Sequence, residues 1–529
     1  MVTEPLPAGD IAAAESQSRP NRDKKSLAFP HVPDKWLSRI ANWGVELRGV
    51  TPVPIEERTD TRFINVFFVW FTLSTNLLPI ITGMVGTFVM GLSLRDASLI
   101  ILFFNMLCTI PPAYFSTFGV RTGLRQMLHA RFTFGYFLVS IIVALNLCTI
   151  AGFGVISSVL GGSTLAAVSG GSIDDTAGIV VIGICGMVVS FGGYKFLHQY
   201  ERYCWLFALV AIVIATGVGG SKFSLQAPTE PPSAATVLSF GGVIAGFLIP
   251  WAGMGADFSV YCTPSVSSTR IFVYTYLGLF LPTVPLMVLG AAIGSTTPSI
   301  PSWSDGYTLY GVGGVLGAML APAGGFGKFV SVLLSFSLLG NLAASMYSIS
   351  LNFQLLLPWE LWRRIPRFVW SIIYTGVLIP VSVVAAKSFF TNLENFLYVI
   401  AYWSAGFFSV VCVEHFVFRK NDFSTYTPGS GGNGHEDGSE KSTWDNPSKL
   451  PTGLAAIGAM ALSFGLIIPC MGQEWFTGPL AETTGDIGFE VALVLVGLLP
   501  GKVNGQANLW ENDFALNGQG RKILILLDV

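Results

Sequence analysis

The stretch PWAGMGADFSVY, Pro250 to Tyr261, sets an indole and a carboxylate six residues apart around two glycines. An indole gives a flat ring a broad face to stack on, worth roughly 1–3 kcal/mol per base in nucleic-acid binders. A carboxylate at the end of an apolar run is costly, and such groups serve as ion or proton sites by default. The stretch also breaks its own backbone: Pro250 removes a donor, and Gly253 and Gly255 loosen the helix. A second interruption, Ser74-Thr75-Asn76 with Pro79, lies in FINVFFVWFTLSTNLLPIITGMVGTFVMGLSL (63–94), which is too long for one straight membrane crossing. Broken backbone at membrane depth persists only where protein or an aqueous cavity satisfies the freed groups.

Other chemistries leave no trace. The seven cysteines stand singly, with no CxxC or CxxH spacing, so neither a metal site nor a disulfide framework is expected. No nucleophile motif, His/Glu metal spacing or Walker sequence occurs, which speaks against an enzyme, a cofactor or ATP drive. Nothing marks a nucleic-acid partner.

The elements that must position these residues are membrane helices. The 529 residues are 52% hydrophobic and 11% charged, about half the charged fraction of a soluble protein. Crossings are expected near 63–93, 97–118, 134–160, 176–194, 204–220, 238–258, 270–294, 328–357, 368–386, 393–418, 452–472 and 486–499. With the N-terminus inside, the inner loops hold thirteen basic residues: Arg121, Arg125, Arg131, Lys195, Arg202, Arg270, Arg363, Arg364, Arg367, Arg419, Lys420, Lys441 and Lys449. The outer loops hold four, Arg95, Lys222, Lys328 and Lys387, in line with the positive-inside rule. No apolar stretch near the start reads as a cleavable signal.

The domain plan follows. Residues 1–62 form a cytoplasmic tail, disordered in its opening part, and 63–418 a ten-helix core. Residues 419–451 are a polar, Gly/Ser-rich cytoplasmic linker expected to be mobile. Residues 452–499 hold the last two crossings, the twelfth short, and 500–529 an atypical tail, genuine or a gene-model error. The connection 295–327 is long enough to be an outer lid or a disordered loop. The core divides into five-helix halves, 63–220 and 238–418, whose first members are the two interrupted crossings. Paired breaks at corresponding positions point to an inverted-repeat transporter with its site at the breaks.

At these residues the chain resembles the purine-cytosine permease family, the fungal type of the nucleobase-cation-symport-1 group. RTGLRQMLHARFTFGYF (121–137), YKFLHQYERYCW (194–205), PWAGMGADFSVYCTP (250–264) and GNLAASMYSISLNFQLL (340–356) carry the likeness in order. The resemblance implies an all-α, twelve-helix, five-plus-five (LeuT-type) fold. It implies proton-coupled symport of a nucleobase or related flat heterocycle, through the lipid bilayer of the plasma membrane. In the family an aromatic ring of the third helix and a Trp of the sixth sandwich the base, and amides read its edges.

Carried over, Trp251 is the sixth-helix platform and Asn341 the first amide of the eighth-helix NNIPN pattern. Phe153 replaces the third-helix Trp and Ser157 the amide after it. Leu342, Ala344 and Ser345 replace the remaining Asn, Pro and Asn. Ser74 and Asn76 occupy the polar positions of helix one. Glu201 matches the acid of the HxYExY block; beside His198, Arg202 and Lys195 it reads as a structural or gating ion-pair cluster, with proton coupling as the second reading. Asp257, ~19 residues into its crossing, reads as a solvated helix-end carboxylate, with proton carriage as the alternative. Losing paired polar edges changes which analogues a site can reject. The departures therefore leave a pyridoxine-like vitamin open as the substrate, and outside transport a membrane receptor that keeps the binding site.

Overall fold

A computed structural model of the chain describes residues 50–191, 193–357, 362, 365–426 and 443–498. A helical run stands at each expected crossing. The first is Ile64–Ser74 with Leu77–Met84, the second Leu94–Cys108 with Ile110–Thr122, and the third Val139–Ser169. The fourth and fifth are Asp175–Phe191 and Gly193–Gly219; the sixth is Ala234–Leu248, continued by Ile249–Phe258. Ser268–Thr296, Gly324–Phe336 with Leu338–Leu356, Arg367–Ala385 and Phe389–Val413 are the seventh to tenth. Leu454–Ile467 and Gly488–Leu498 are the last two. Among the described residues seven helices are long and apolar enough to cross a membrane, or eight if the bent first pair counts as one span.

Three expectations need correcting. The third crossing starts at Val139 and runs to Ser169, outward of the expected 134–160. Its start is delayed because Arg131–Phe134 forms a separate turn ending at Gly135, whose φ of 74° a side chain would resist. The connection 295–327 is not a disordered loop. Pro301–Leu320 is a helix folded back at Tyr310 and Gly311, with Gly306 and Gly314 so close that a Cβ on either would strike the other's carbonyl. Its tip docks aromatically, Tyr307 lying 4.7 Å from Phe88 and 6.1 Å from Phe390 between ring centroids.

The third correction concerns the linker, whose described flanks are docked. Arg131, buried in the loop between the second and third crossings, donates to the Trp444 carbonyl (3.1 Å) and pairs with Asp445 (3.4 Å). On the other flank Arg419 pairs with Glu414 (3.0 Å) and donates to the Phe132 carbonyl (3.0 Å). Both flanks thus grip the same loop. Residues 427–442 of the linker, the tail up to residue 49, and residue 499 with the atypical ending 500–529 lie outside the described residues. The end of the tail is anchored: Arg58 donates to the carbonyls of Val53 and Thr122, both at 2.9 Å.

The helices pack in two groups. The first, second and seventh crossings and the Ile249–Phe258 stretch pack mainly on one another; the third, fourth, eighth and ninth do likewise. Between the groups runs a seam, and the interrupted crossings face it.

Candidate functional site

The break in the first crossing is built by its own sequence. After Ser74 the backbone leaves the helix at Thr75 and extends at Asn76, and the two halves meet at 52°. Asn76 caps the second half: its Oδ1 accepts from Leu78 N (2.8 Å) while its Nδ2 donates to Leu73 O (2.7 Å). An Asn cap followed by Leu-Leu-Pro is good helix-start chemistry, since the proline needs no donor in a first turn. The expected ligand Asn76 is thus committed to the backbone. Ser74, buried two residues earlier, has a hydroxyl without a partner.

In the sixth crossing the regular α-helix ends at Leu248 and the chain goes on in a different winding. From Ile249 to Phe258 it is a 3-10 helix ten residues long, where runs beyond 3–4 residues are uncommon. With three residues per turn, positions three apart eclipse, so PWAGMGADF sorts into rows. Trp251, Met254 and Asp257 share one. Gly253 belongs to a second, and there a Cβ would run into Asn146 Oδ1 of the third crossing. Gly255 belongs to the third, and a Cβ there would press on the Pro112 carbonyl and Ser116 N of the second crossing.

Trp251 meets Phe153 across the seam. Their centroids are 5.6 Å apart and their planes 20° from parallel, and each ring is 4% exposed. Phe247 and Phe396 box Phe153 edge-on at 6.2 and 5.5 Å. Trp70, which the sequence reading passed over, stands edge-on to Trp251 at 5.9 Å and to Phe258 at 5.3 Å. A flat ring held between two aromatic faces needs about 3.5 Å on either side, hence faces about 7 Å apart. The two rings therefore rest on each other here, and a planar guest has to part them.

Buried polar atoms without partners on the first, sixth and eighth crossings include Ser74 Oγ, the indole Nε1 atoms of Trp70 and Trp251, and the Oδ1 of Asn341. Asn341 Nδ2 donates to Leu73 O at 3.3 Å, which brings the eighth crossing to the break in the first. Ser157 is buried but spends its hydroxyl proton on Phe153 O (2.7 Å). Leu342 packs away from the seam, against Gly154 and Gly186 of the third and fourth crossings. Buried orphan donors and acceptors cost about 1–3 kcal/mol each when left unmade.

Asp257 is not the solvated carboxylate the sequence suggested. It is 4% exposed and accepts from Gln126 N at 2.8 Å, while Gln126 Oε1 accepts from Ala256 N at 3.3 Å. The loop after the second crossing folds over the end of the 3-10 stretch and shields it. Arg125 in that loop interacts electrostatically with Asp257 and donates to the Tyr347 hydroxyl of the eighth crossing at 3.0 Å. The side chain of Glu201 lies outside the described residues. Among the described residues no group of three or more His, Cys, Asp or Glu could hold a metal ion.

At the far end of the seam a cavity of about 530 Å³ opens between Val159, Leu160 and Ser163 of the third crossing and the hairpin tip Tyr307–Val312. Phe153 lies about two to three helical turns further in.

A family profile described as permease for cytosine/purines, uracil, thiamine and allantoin matches residues 52–489. The purine-cytosine permease fcyB of Emericella nidulans is 34% identical over 457 residues, covering 85% of this chain and 86% of that one. The purine-cytosine permease FCY21 of Saccharomyces cerevisiae is 32% identical, covering 87% and 86%. The vitamin B6 transporter TPN1 of the same yeast is 29% identical, covering 87% and 86%. Among solved structures, Mhp1, a nucleobase-cation-symport-1 family transporter in a closed conformation with bromovinylhydantoin bound, superposes with a TM-score of 0.65. Its identity is 15%, covering 88% of this chain and 96% of that chain. The inward-facing conformation of Mhp1 gives 0.61 at 16% identity, covering 87% and 96%.

Proposed function

The chain belongs to the family of permeases for cytosine/purines, uracil, thiamine and allantoin, and on that premise we propose that it carries a nucleobase or similar flat heterocycle into the cytoplasm together with a proton. It is a multi-pass membrane protein and not an enzyme. We place it in the plasma membrane with the N-terminus and the basic loops inside; the thirteen-to-four split of basic residues supports that orientation.

One observation carries the reading: the Phe153–Trp251 pair, stacked across the seam at 5.6 Å, with orphan polar atoms on Trp70, Trp251, Ser74 and Asn341 of the first, sixth and eighth crossings. Aromatic faces grip a planar solute regardless of its substituents; the orphan atoms then select among edges. Alternating access follows when one helix group moves against the other about this site. Proton coupling is the energy source in keeping with a chain that has no nucleotide-binding motif, and Glu201 and Asp257 are the acids assigned to gating or coupling.

A second substrate class has its own support. Ser157, Leu342 and Ser345 stand where the family resemblance has amides, and the vitamin B6 transporter is almost as similar as the purine-cytosine permeases. A labelled-uptake panel of cytosine, purines, uracil, allantoin, pyridoxine and thiamine, in cells lacking their own carriers, tests the proposal. Saturable uptake that rises at acid outer pH supports it. Binding without accumulation would instead identify a receptor.

A further inference from the structure

Asn146 lies seven residues before Phe153 on the third crossing, fully buried in an otherwise apolar run. Its Nδ2 donates in two directions: to Asn352 Oδ1 of the eighth crossing at 3.1 Å, and to the Gly253 carbonyl at 3.4 Å. Asn352 is held in turn, its Nδ2 donating to Ser348 O at 2.8 Å. The third and eighth crossings belong to one helix group and Gly253 to the other, so this amide spans the seam two residues from Trp251. Its Oδ1 has no partner and occupies the place a Cβ at position 253 would take.

Two features separate this amide from an ordinary helix–helix tie. It grips a backbone carbonyl of the 3-10 stretch, whose winding sets the direction in which Trp251 points. And its carbonyl partner Gly253 lies in sequence between Trp251 of the stacked pair and Asp257 of the Asp257–Gln126 closure. We propose that Asn146 is a positioning residue for the bound ring: it holds the Trp251 stretch in register against the third and eighth crossings and lets go when the site opens toward the basic loops. This rests on the transport reading above.

The test compares Asn146→Leu, which keeps the volume and removes the donor, with Asn146→His, which keeps a ring N–H. Uptake of tritiated cytosine, with labelled pyridoxine in parallel, is measured in cells and normalised to surface abundance; binding of the same probes is measured on the purified full chain. For Asn146→Leu, KM and Kd should rise together about fivefold, the equivalent of one net hydrogen bond. Vmax should stay within about twofold, and Asn146→His should restore most of the affinity. A KM and Kd equal to wild type would overturn the proposal, including the case in which only abundance falls, as for a merely structural amide. Should Asn146→Leu fail to fold, Asn352→Ala removes the partner that orients the amide and should still raise KM; an unchanged KM there overturns it equally. A wild-type chain that binds a probe without taking it up refutes the transport reading, while the Kd comparison continues to test Asn146.

Discussion

Removing the Trp251 indole is the sharpest perturbation of the site. The ring is 4% exposed, covers Phe153 at 5.6 Å and receives the edge of Trp70 at 5.9 Å. Stacking on such a face is worth about 1–3 kcal/mol, or about 5- to 150-fold in affinity. Trp251→Ala forfeits all of it, and the cavity left behind destabilises the fold by about 3–5 kcal/mol. Uptake must therefore be divided by surface abundance. Per molecule, Trp251→Ala should cut uptake at substrate concentrations near the wild-type KM to between about one third and about one hundredth of wild type. Trp251→Phe keeps a stacking face and loses the orphan Nε1 donor, so it should transport with KM raised about tenfold or less. Binding to purified protein should follow the same order. Normal uptake per molecule by Trp251→Ala would remove Trp251 from the site and refute the reasoning. If the Phe variant were as impaired as Ala, an indole donor and not a face would be the essential feature.

Three further outcomes are expected. Asn76→Ala removes the cap at the break and should lower stability by about 0.5–2 kcal/mol, seen as a lower melting temperature of the purified protein, with KM raised because Leu73 O is shared with Asn341. Asp257→Asn keeps an acceptor for Gln126 N; abundance should fall, but uptake per molecule should still rise at acid pH, whereas loss of that pH dependence would make Asp257 the proton carrier. His129, buried in the loop between the second and third crossings, is held well below the usual histidine range, first by burial and then by the charges of Arg419 and His415. Its folded form stays neutral while the unfolded chain takes up a proton below about pH 6.5, so stability should be full above that pH and decline below it; melting temperatures of His129→Phe from pH 7 to 5 should lose that part of the decline.

Much of this was legible in the residues, though unevenly. Ser74-Thr75-Asn76 with Pro79 marks the first crossing as broken, and the break falls there, although Asn76 serves it as a cap. Pro250 and the two glycines announce an irregular sixth crossing, but their type cannot say whether the chain unwinds or rewinds; tight packing of the small residues on the second and third crossings selects the 3-10 form. Asp257 was placed near water because depth was counted along its own helix, and the covering loop comes from residues 130 positions away. The 301–320 hairpin was missed because Ser304, Asp305 and its glycines dilute the apolar pattern, while its stability lies in a Gly306–Gly314 contact that periodicity does not register. Asn146 is invisible for a similar reason: a single Asn in an apolar run reads as an interhelical tie until its partners, 107 and 206 residues away, are known.

In transport, Phe153 and Trp251 part to admit a planar solute at the seam between the two helix groups. A structure of the chain determined with its transported substrate tests this most directly. The account predicts the solute ring between the two side chains, their centroids spread from 5.6 Å to about 7 Å or more. Rings still stacked on each other with the solute bound elsewhere would contradict it.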